Sequence, residues 1–502
     1  MRGVFVWCRL FGVFAVIFHF AADQHLAAAT RYFLSPEIEQ AWLQTNRLNT
    51  STARKLLKQD AARYPGNPFQ FLIADQAAMI EILVSDDQVQ YRRELASRRV
   101  RLDALEAGDL NSPYYLYALA EYHLHWAILR MKFNDQLQGA LELRKSVQCI
   151  EKNQQRFPSF KLNLKTLGII QTMAGAVPPN FQWLAEKAGI RGRAEDGLNS
   201  LHHLEQWLNQ TPAMHFLLPE ILFYQIFIRR NLPFETLPAD LEKSALLMAA
   251  KEPLVRFALA GFAQKTSNPS VVLSLLADPE AAPYELKFCY LDYLYGEALL
   301  NRLNGGSAKK FESFISCTKG NQYVKSAYRK WAWSALLAGN NIEYQRIMKL
   351  VCTKGTDEHE DDRQAMAEAV SGSIPPSALI RARVLFDGGL YQKSANELLR
   401  IYDLKSLNHR TKAEVQYRLG RAYDKLKSTH LATVFYVAAM VCSEKIPDYF
   451  YAAAAFHLAH IYLNSGKKAE AIELFNRVLS SGDHPYKRSL DAKARAALLN
   501  MR

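Results

Sequence analysis

The stretch AAAFHLAHIYLNSGKKAEAIELFNRVLSSGDHP, residues 453–485, restricts the fold of this chain more than any other. Leu458, Ala459, Tyr462, Gly466, Ala471, Phe475 and Val478 alternate large, small, aromatic and turn-forming residues at helical spacings. Two antiparallel helices satisfy that order: Ala459 and Ala471 let the helices approach, Tyr462 and Phe475 fill the seam, and Gly466 ends the first helix in a left-handed cap. A unit of this kind cannot bury its apolar face alone, so it demands neighbours of the same shape.

Those neighbours are present upstream. AEVQYRLGRAYDKLKSTHLATVFYVAAMVC supplies Leu419, Gly420, Tyr423, Ala432, Tyr436 and Ala439, with Lys427 at the turn, and ALIRARVLFDGGLYQKSANELLRI supplies Ala382, Leu385, Gly389, Ser394 and Leu398. The turn positions 389, 427 and 466 recur at a spacing longer than the ~34-residue unit, so the connections carry extra residues. The pattern resembles the tetratricopeptide-repeat (TPR) family over roughly the last 130 residues. That resemblance implies an all-α superhelix of helix pairs and a binding groove lined by the first helix of each pair. Carried over by position, the groove residues are Leu379, Arg383, Tyr417, Arg421, Phe456 and His460, an apolar and cationic lining suited to an extended peptide with acidic or C-terminal carboxylate groups. The Lys and Asn combination of chaperone-tail-binding TPR domains does not stand at these positions.

Weaker echoes continue toward the N-terminus, at Tyr295, Gly296, Leu299 and Ala308 and again at Trp331, Ala332, Ala335 and Gly339. Ser112 and Pro113 signal a helix start, and that helix breaks near Asn134. The expected organisation is a leader at 1–29, an N-terminal helical domain with degenerate repeats at 30–250, a central helical-repeat region at 251–370, the clear repeats at 371–485 and a capping helix at 486–502. With only 23 Gly and 19 Pro in 502 residues, and no recurring strand alternation, helix is expected throughout.

The segment GIIQTMAGAVPPNFQWLAEKAGI, residues 168–190, carries no charge before Glu186. It reads as a close-packed helix that stops at Pro178 and Pro179; an apolar hairpin that presents Phe181 and Trp183 to a membrane surface is the alternative. A phosphate loop at GIRGRAEDG is disfavoured, because no strand precedes it. VPPNFQWLAEKAGIRGRAEDGLNSL and KGNQYVKSAYRKWAWSALLAGN also resemble segments of the helical-repeat family that includes fungal inclusion-body clearance proteins, which implies helical repeats and no particular activity.

The N-terminus has the three-part order of a secretory signal: Arg2 and Arg9, an apolar run from Leu10 to Ala22, and Ala27-Ala28-Ala29 before Thr30. Cys8 precedes the apolar run, so it is not the acylated cysteine of a lipoprotein leader. An exported protein of the periplasm or cell envelope is expected. The net charge of +13 is spread along the chain without a polybasic run, which reads as a solvated basic surface and not as a nucleic-acid site. The five cysteines beyond the leader, Cys149, Cys289, Cys317, Cys352 and Cys442, are widely spaced and odd in number, give no zinc spacing and leave room for one bridge in an oxidising compartment. The acidic loop KGTDEHEDDRQ lacks the ligand spacing of a calcium loop and reads as a solvated helix lead-in.

His123 and His125, two residues apart, fall on different helix faces and are expected to be structural or surface residues. No nucleophile elbow, zinc-protease, Walker or Rossmann motif occurs, so no catalytic residue, metal or cofactor is expected. The sequence therefore points to a non-enzymatic scaffold for a protein, peptide or envelope component. Glycan capture and membrane-surface binding are the alternatives, and the first of these lacks its lipidated cysteine.

Overall fold

The computed structural model describes residues 30–176, 192–278, 280–404, 407–444, 446, 448–484 and 486–501. The expected leader, the double proline, Phe181 and Trp183 lie outside the described residues. Among the described residues there are 24 α-helices and no strand, only an isolated bridge between Thr30 and Gly108.

The N-terminal half runs α1 (Pro36–Asn46), α2 (Thr50–Arg63), α3 (Phe69–Ser85), α4 (Gln88–Glu106), α5 (Pro113–Lys132), α6 (Gln136–Arg156), α7 (Asn163–Ala176), α8 (Ala194–Asn209), α9 (Leu218–Asn231) and α10 (Ala239–Ala249). The middle comprises α11 (Pro253–Lys265), α12 (Pro269–Leu276), α13 (Tyr290–Asn301), α14 (Ser307–Cys317), α15 (Val324–Leu337), α16 (Asn341–Thr353) and α17 (Glu360–Val370). The C-terminal array is α18 (Ser377–Asp387), α19 (Tyr391–Tyr402), α20 (His409–Lys425), α21 (Thr429–Ser443), α22 (Phe450–Asn464), α23 (Lys468–Ser480) and α24 (Lys487–Leu499). Starts follow local chemistry: Ser112 Oγ accepts the N–H of Tyr114 at 3.2 Å with Pro113 in the first turn, and Asn408 Oδ1 accepts that of Thr411 at 2.8 Å.

One backbone device repeats along the chain. Leu48, Asp86, Asn134, Ser267, Leu303, Gly339, Gly389, Lys427 and Gly466 all have positive φ, and each sits in the short turn between the two helices of a pair. This left-handed residue closes the first helix so that the second can fold back. Only three of the nine are glycine, so the pair geometry extends well beyond the sequence that advertises it.

Packing follows the small-residue plan of the sequence. Ala459, Ala471 and Phe475 are fully buried, and a Cβ at Gly420 would stand 2.6 Å from the Tyr436 ring, so α20 and α21 meet at glycine. The run beginning at Gly168 behaves alike as far as it is described. Ile169 and Ile170 are buried, and α7 crosses α8 where a Cβ on Gly197 would lie 2.4 Å from the Gly168 carbonyl oxygen. Hydrophobic clusters succeed one another along the chain, from Tyr32–Ala298 through Phe257–Val384 and Leu379–Phe435 to Ala413–Ala494, as expected of stacked repeats that each bury a local core. The helix expected to cap the array, α24, buries Leu490 and Ala494 against it.

From α13 onward, each second helix rests on its own first helix and on the next helix in the chain, α17 intervening between α16 and α18, while successive first helices α13, α15, α18, α20 and α22 also touch one another. A disulfide joins Cys289 to Cys317 across α13 and α14 with Cα atoms 5.7 Å apart. The acidic loop is only partly solvated: Asp362 is fully buried and accepts the N–H groups of Tyr323 (2.7 Å) and Ser326 (2.9 Å), capping α15.

Candidate functional site

The six expected groove residues divide into three kinds. Leu379 and Tyr417 are buried, at 1 % and 4 % exposure, inside the helix-pair cores, so they support the first-helix layer from beneath and cannot line it. Their helices present more than one face to neighbours, and positional carry-over does not identify the open one. Arg383 is close to the layer but already occupied. Its Nε donates to Glu414 at 2.8 Å, Nη1 to Glu368 at 3.1 Å, and its guanidinium lies 5.6 Å over Trp333. Arg418 donates to the same Glu414 at 2.6 Å. Burial alone would raise the Glu414 carboxyl; the two guanidiniums overcome it and hold it at about 2. This cluster joins α15, α17, α18 and α20.

Arg421, Phe456 and His460 form the third kind, half-buried residues with a solvent face. The Arg421 guanidinium lies 4.7 Å over Phe386, and among the described residues no carboxylate stands within ion-pair distance of it. Nearby His457 stacks on Tyr436 at 5.6 Å; burial, aided by the charge of Arg421, pushes it down to about 3, so it is neutral at physiological pH. Phe456 meets His460 at 4.7 Å and Phe475 at 5.8 Å, which makes an aromatic ledge on α22.

The structure adds a recess that sequence reasoning missed. A cavity of about 330 Å³ opens among α9, α11, α13, α17 and α18, lined by Arg230, Gln264, Tyr290, Tyr293, Glu297, Tyr323, Asp361 and Asp387 among others. Its floor is ordered: Lys330 Nζ donates to Tyr293 Oη at 2.6 Å and pairs with Glu297, and Tyr293 Oη contacts Ser326 Oγ at 2.9 Å. Tyr290, Tyr293 and Tyr323 stand with ring centres 4.9–5.4 Å apart. No short motif could reveal this site, because its residues come from five helices and a loop far apart in sequence.

Other charged clusters are enclosed. Lys165 Nζ sits between Glu121 Oε2 (2.6 Å) and Glu220 Oε1 (2.7 Å), all three about 2 % exposed or less, and Trp42 Nε1 donates to Glu220 at 3.0 Å. His123 and His125 are both buried against carboxylates, at 2.7 Å from Glu142 and 3.0 Å from Asp75, which makes them structural. Against the penalty of burial, His123 and Arg98 hold Glu142 at about 2. Among the described residues no cluster of His, Cys, Asp and Glu has the makings of a metal site, and no helix is long and apolar enough to cross a membrane.

Comparison with known proteins places the repeat. Residues 452–481 match the family model described as tetratricopeptide repeat. No curated protein matches the chain, and the resemblance to inclusion-body clearance proteins gains no support. Among solved structures, the one described as "Crystal structure of APC/C hetero-tetramer Cut9-Hcn1" is similar at 11% identity, covering 92% of this chain and 96% of that one, with a TM-score of 0.24. A superposition that loose adds nothing to the fold seen directly. The chain carries a tetratricopeptide repeat at its C-terminal end, inside an all-helical array of helix pairs.

Proposed function

We propose that this tetratricopeptide-repeat protein is a non-enzymatic scaffold that holds an extended polypeptide along the layer of first helices. Successive first helices touch one another, which supports reading their layer as the inner side of a curved stack. The observation that carries the reading is Arg421. Its neighbours Arg383 and Arg418 are spent on Glu414, whereas Arg421 lies on an aromatic ring with no carboxylate in ion-pair reach among the described residues. A half-buried guanidinium left in that state recruits a carboxylate from outside, a side chain or C-terminus of the bound segment. Phe456 and His460 extend the same surface for apolar residues.

We place the protein outside the cytoplasm. The leader-like N-terminus motivates this, and the Cys289–Cys317 disulfide fits an oxidising compartment. In crosslinked pulldowns from the native envelope, Arg421→Gln is expected to lose the captured polypeptide while circular dichroism stays at the wild-type helicity. Undiminished capture by Arg421→Gln overturns the reading.

A further inference from the structure

We infer that the recess between α9, α11, α13, α17 and α18 is a binding site for a zwitterionic group, one ammonium and one carboxylate carried by a free amino acid or by a peptide end. The inference is separate from the first-helix face and rests on what the recess leaves unsatisfied.

One wall offers a cation. Arg230 is stacked 5.4 Å over Phe257 and reaches only the Tyr290 hydroxyl, at 3.4 Å, with no carboxylate in ion-pair range among the described residues. Its position is made by Gly261: a Cβ there would come within 2.8 Å of the guanidinium carbon, so the helix lacks a side chain where Arg230 crosses it. Lys265, beside it, is already committed to the carbonyls of Arg229 (2.8 Å) and Leu232. Arg230 is therefore the group left for an anion.

The opposite wall offers acceptors. The carboxylates of Asp361 and Asp387 have no ion-pair partner among the described residues, and Gln264 Oε1 is buried with no hydrogen-bond donor among them. A buried acceptor left without a donor is destabilising, and a bound ammonium supplies the missing donor. Asp387 is exposed at the mouth of the recess, and the protein crowded around it raises its carboxyl despite Arg418, Lys330, Arg421 and Arg329 in the vicinity. Lys330 and Arg418 are themselves paired, to Glu297 and Glu414. The tyrosine rings between the walls supply faces for a cation. The Cys289–Cys317 bridge fixes the segment between Tyr290 and Tyr323. The volume of about 330 Å³ has room for an amino acid or the end of a peptide.

The test uses the purified chain. Thermal shift with each of the twenty L-amino acids, and with triglycine for the peptide source, selects a probe. Isothermal titration then compares that probe with its decarboxylated amine and its deaminated acid. The zwitterion is expected to bind at least about tenfold more tightly than either half. Arg230→Gln is expected to abolish the preference over the amine, and Asp387→Asn to weaken the preference over the acid; Gly261→Ala, which displaces Arg230, reproduces the first effect. Binding of triglycine without free amino acids assigns the site to a peptide end. No binding by any probe at 10-fold molar excess over millimolar protein, or equal binding of amine, acid and zwitterion, overturns the inference.

Discussion

Glu414→Gln tests the seam between the central helices and the C-terminal repeats. Glu414 is essentially buried and is held by Arg383 and Arg418, so its carboxyl lies at about 2, well below the ordinary glutamate value of 4.5. That displacement is already net of the desolvation penalty, and at 1.36 kcal/mol per pH unit it corresponds to about 3 kcal/mol of stability carried by the charged form. The sign follows from a depressed carboxylate: the contribution is complete above the unfolded value and is lost as pH falls from 4.5 through 2. Arrays of repeats open segment by segment, so the readout is local. Hydrogen exchange followed by mass spectrometry should show protection of α18 and α20 in Glu414→Gln roughly a hundredfold below wild type at pH 7. Denaturant profiles of the same seam should converge for the two proteins as pH approaches 2. A difference between them that does not change with pH refutes the charge account and leaves only shape.

Three further outcomes are expected. Lys427→Gly relieves a left-handed lysine at a turn where Gly389 and Gly466 stand in the adjacent repeats, and should stabilise by about 1 kcal/mol, read as a higher Tm with unchanged helicity. Lys165→Met strands Glu121 and Glu220 in the core without their cation and should cost about 3–5 kcal/mol, read by urea unfolding. Reduction of Cys289–Cys317 opens a loop of 28 residues and should lower stability by about 3 kcal/mol, measured by urea unfolding with and without dithiothreitol.

The C-terminal repeats were legible because their turns use Gly389 and Gly466 and their seams use Ala459, Ala471 and Phe475, residues whose chemistry nearly dictates their place. The N-terminal pairs use the same turn with Leu48, Asp86 and Asn134, and the left-handed backbone costs such residues too little to force a glycine. Hence the echoes faded while the geometry continued. Position along a first helix named Arg421, Phe456 and His460, which keep part of their surface exposed, but could not show that Leu379 and Tyr417 face inward or that Arg383 is matched by Glu414, since partners from other helices decide both. The recess at Arg230 is the extreme case. Gly261 looks like any helix glycine until the guanidinium that it admits is seen.

The central claim, that the first-helix layer holds the partner, is tested most directly by a photo-crosslinking amino acid placed at Phe456 on α22 and, in a second protein, at Val441 on the second helix α21, which is 75 % exposed. Irradiation in the native envelope should give a discrete polypeptide adduct from position 456 and none from position 441. Adducts from 441 with none from 456 would contradict the account.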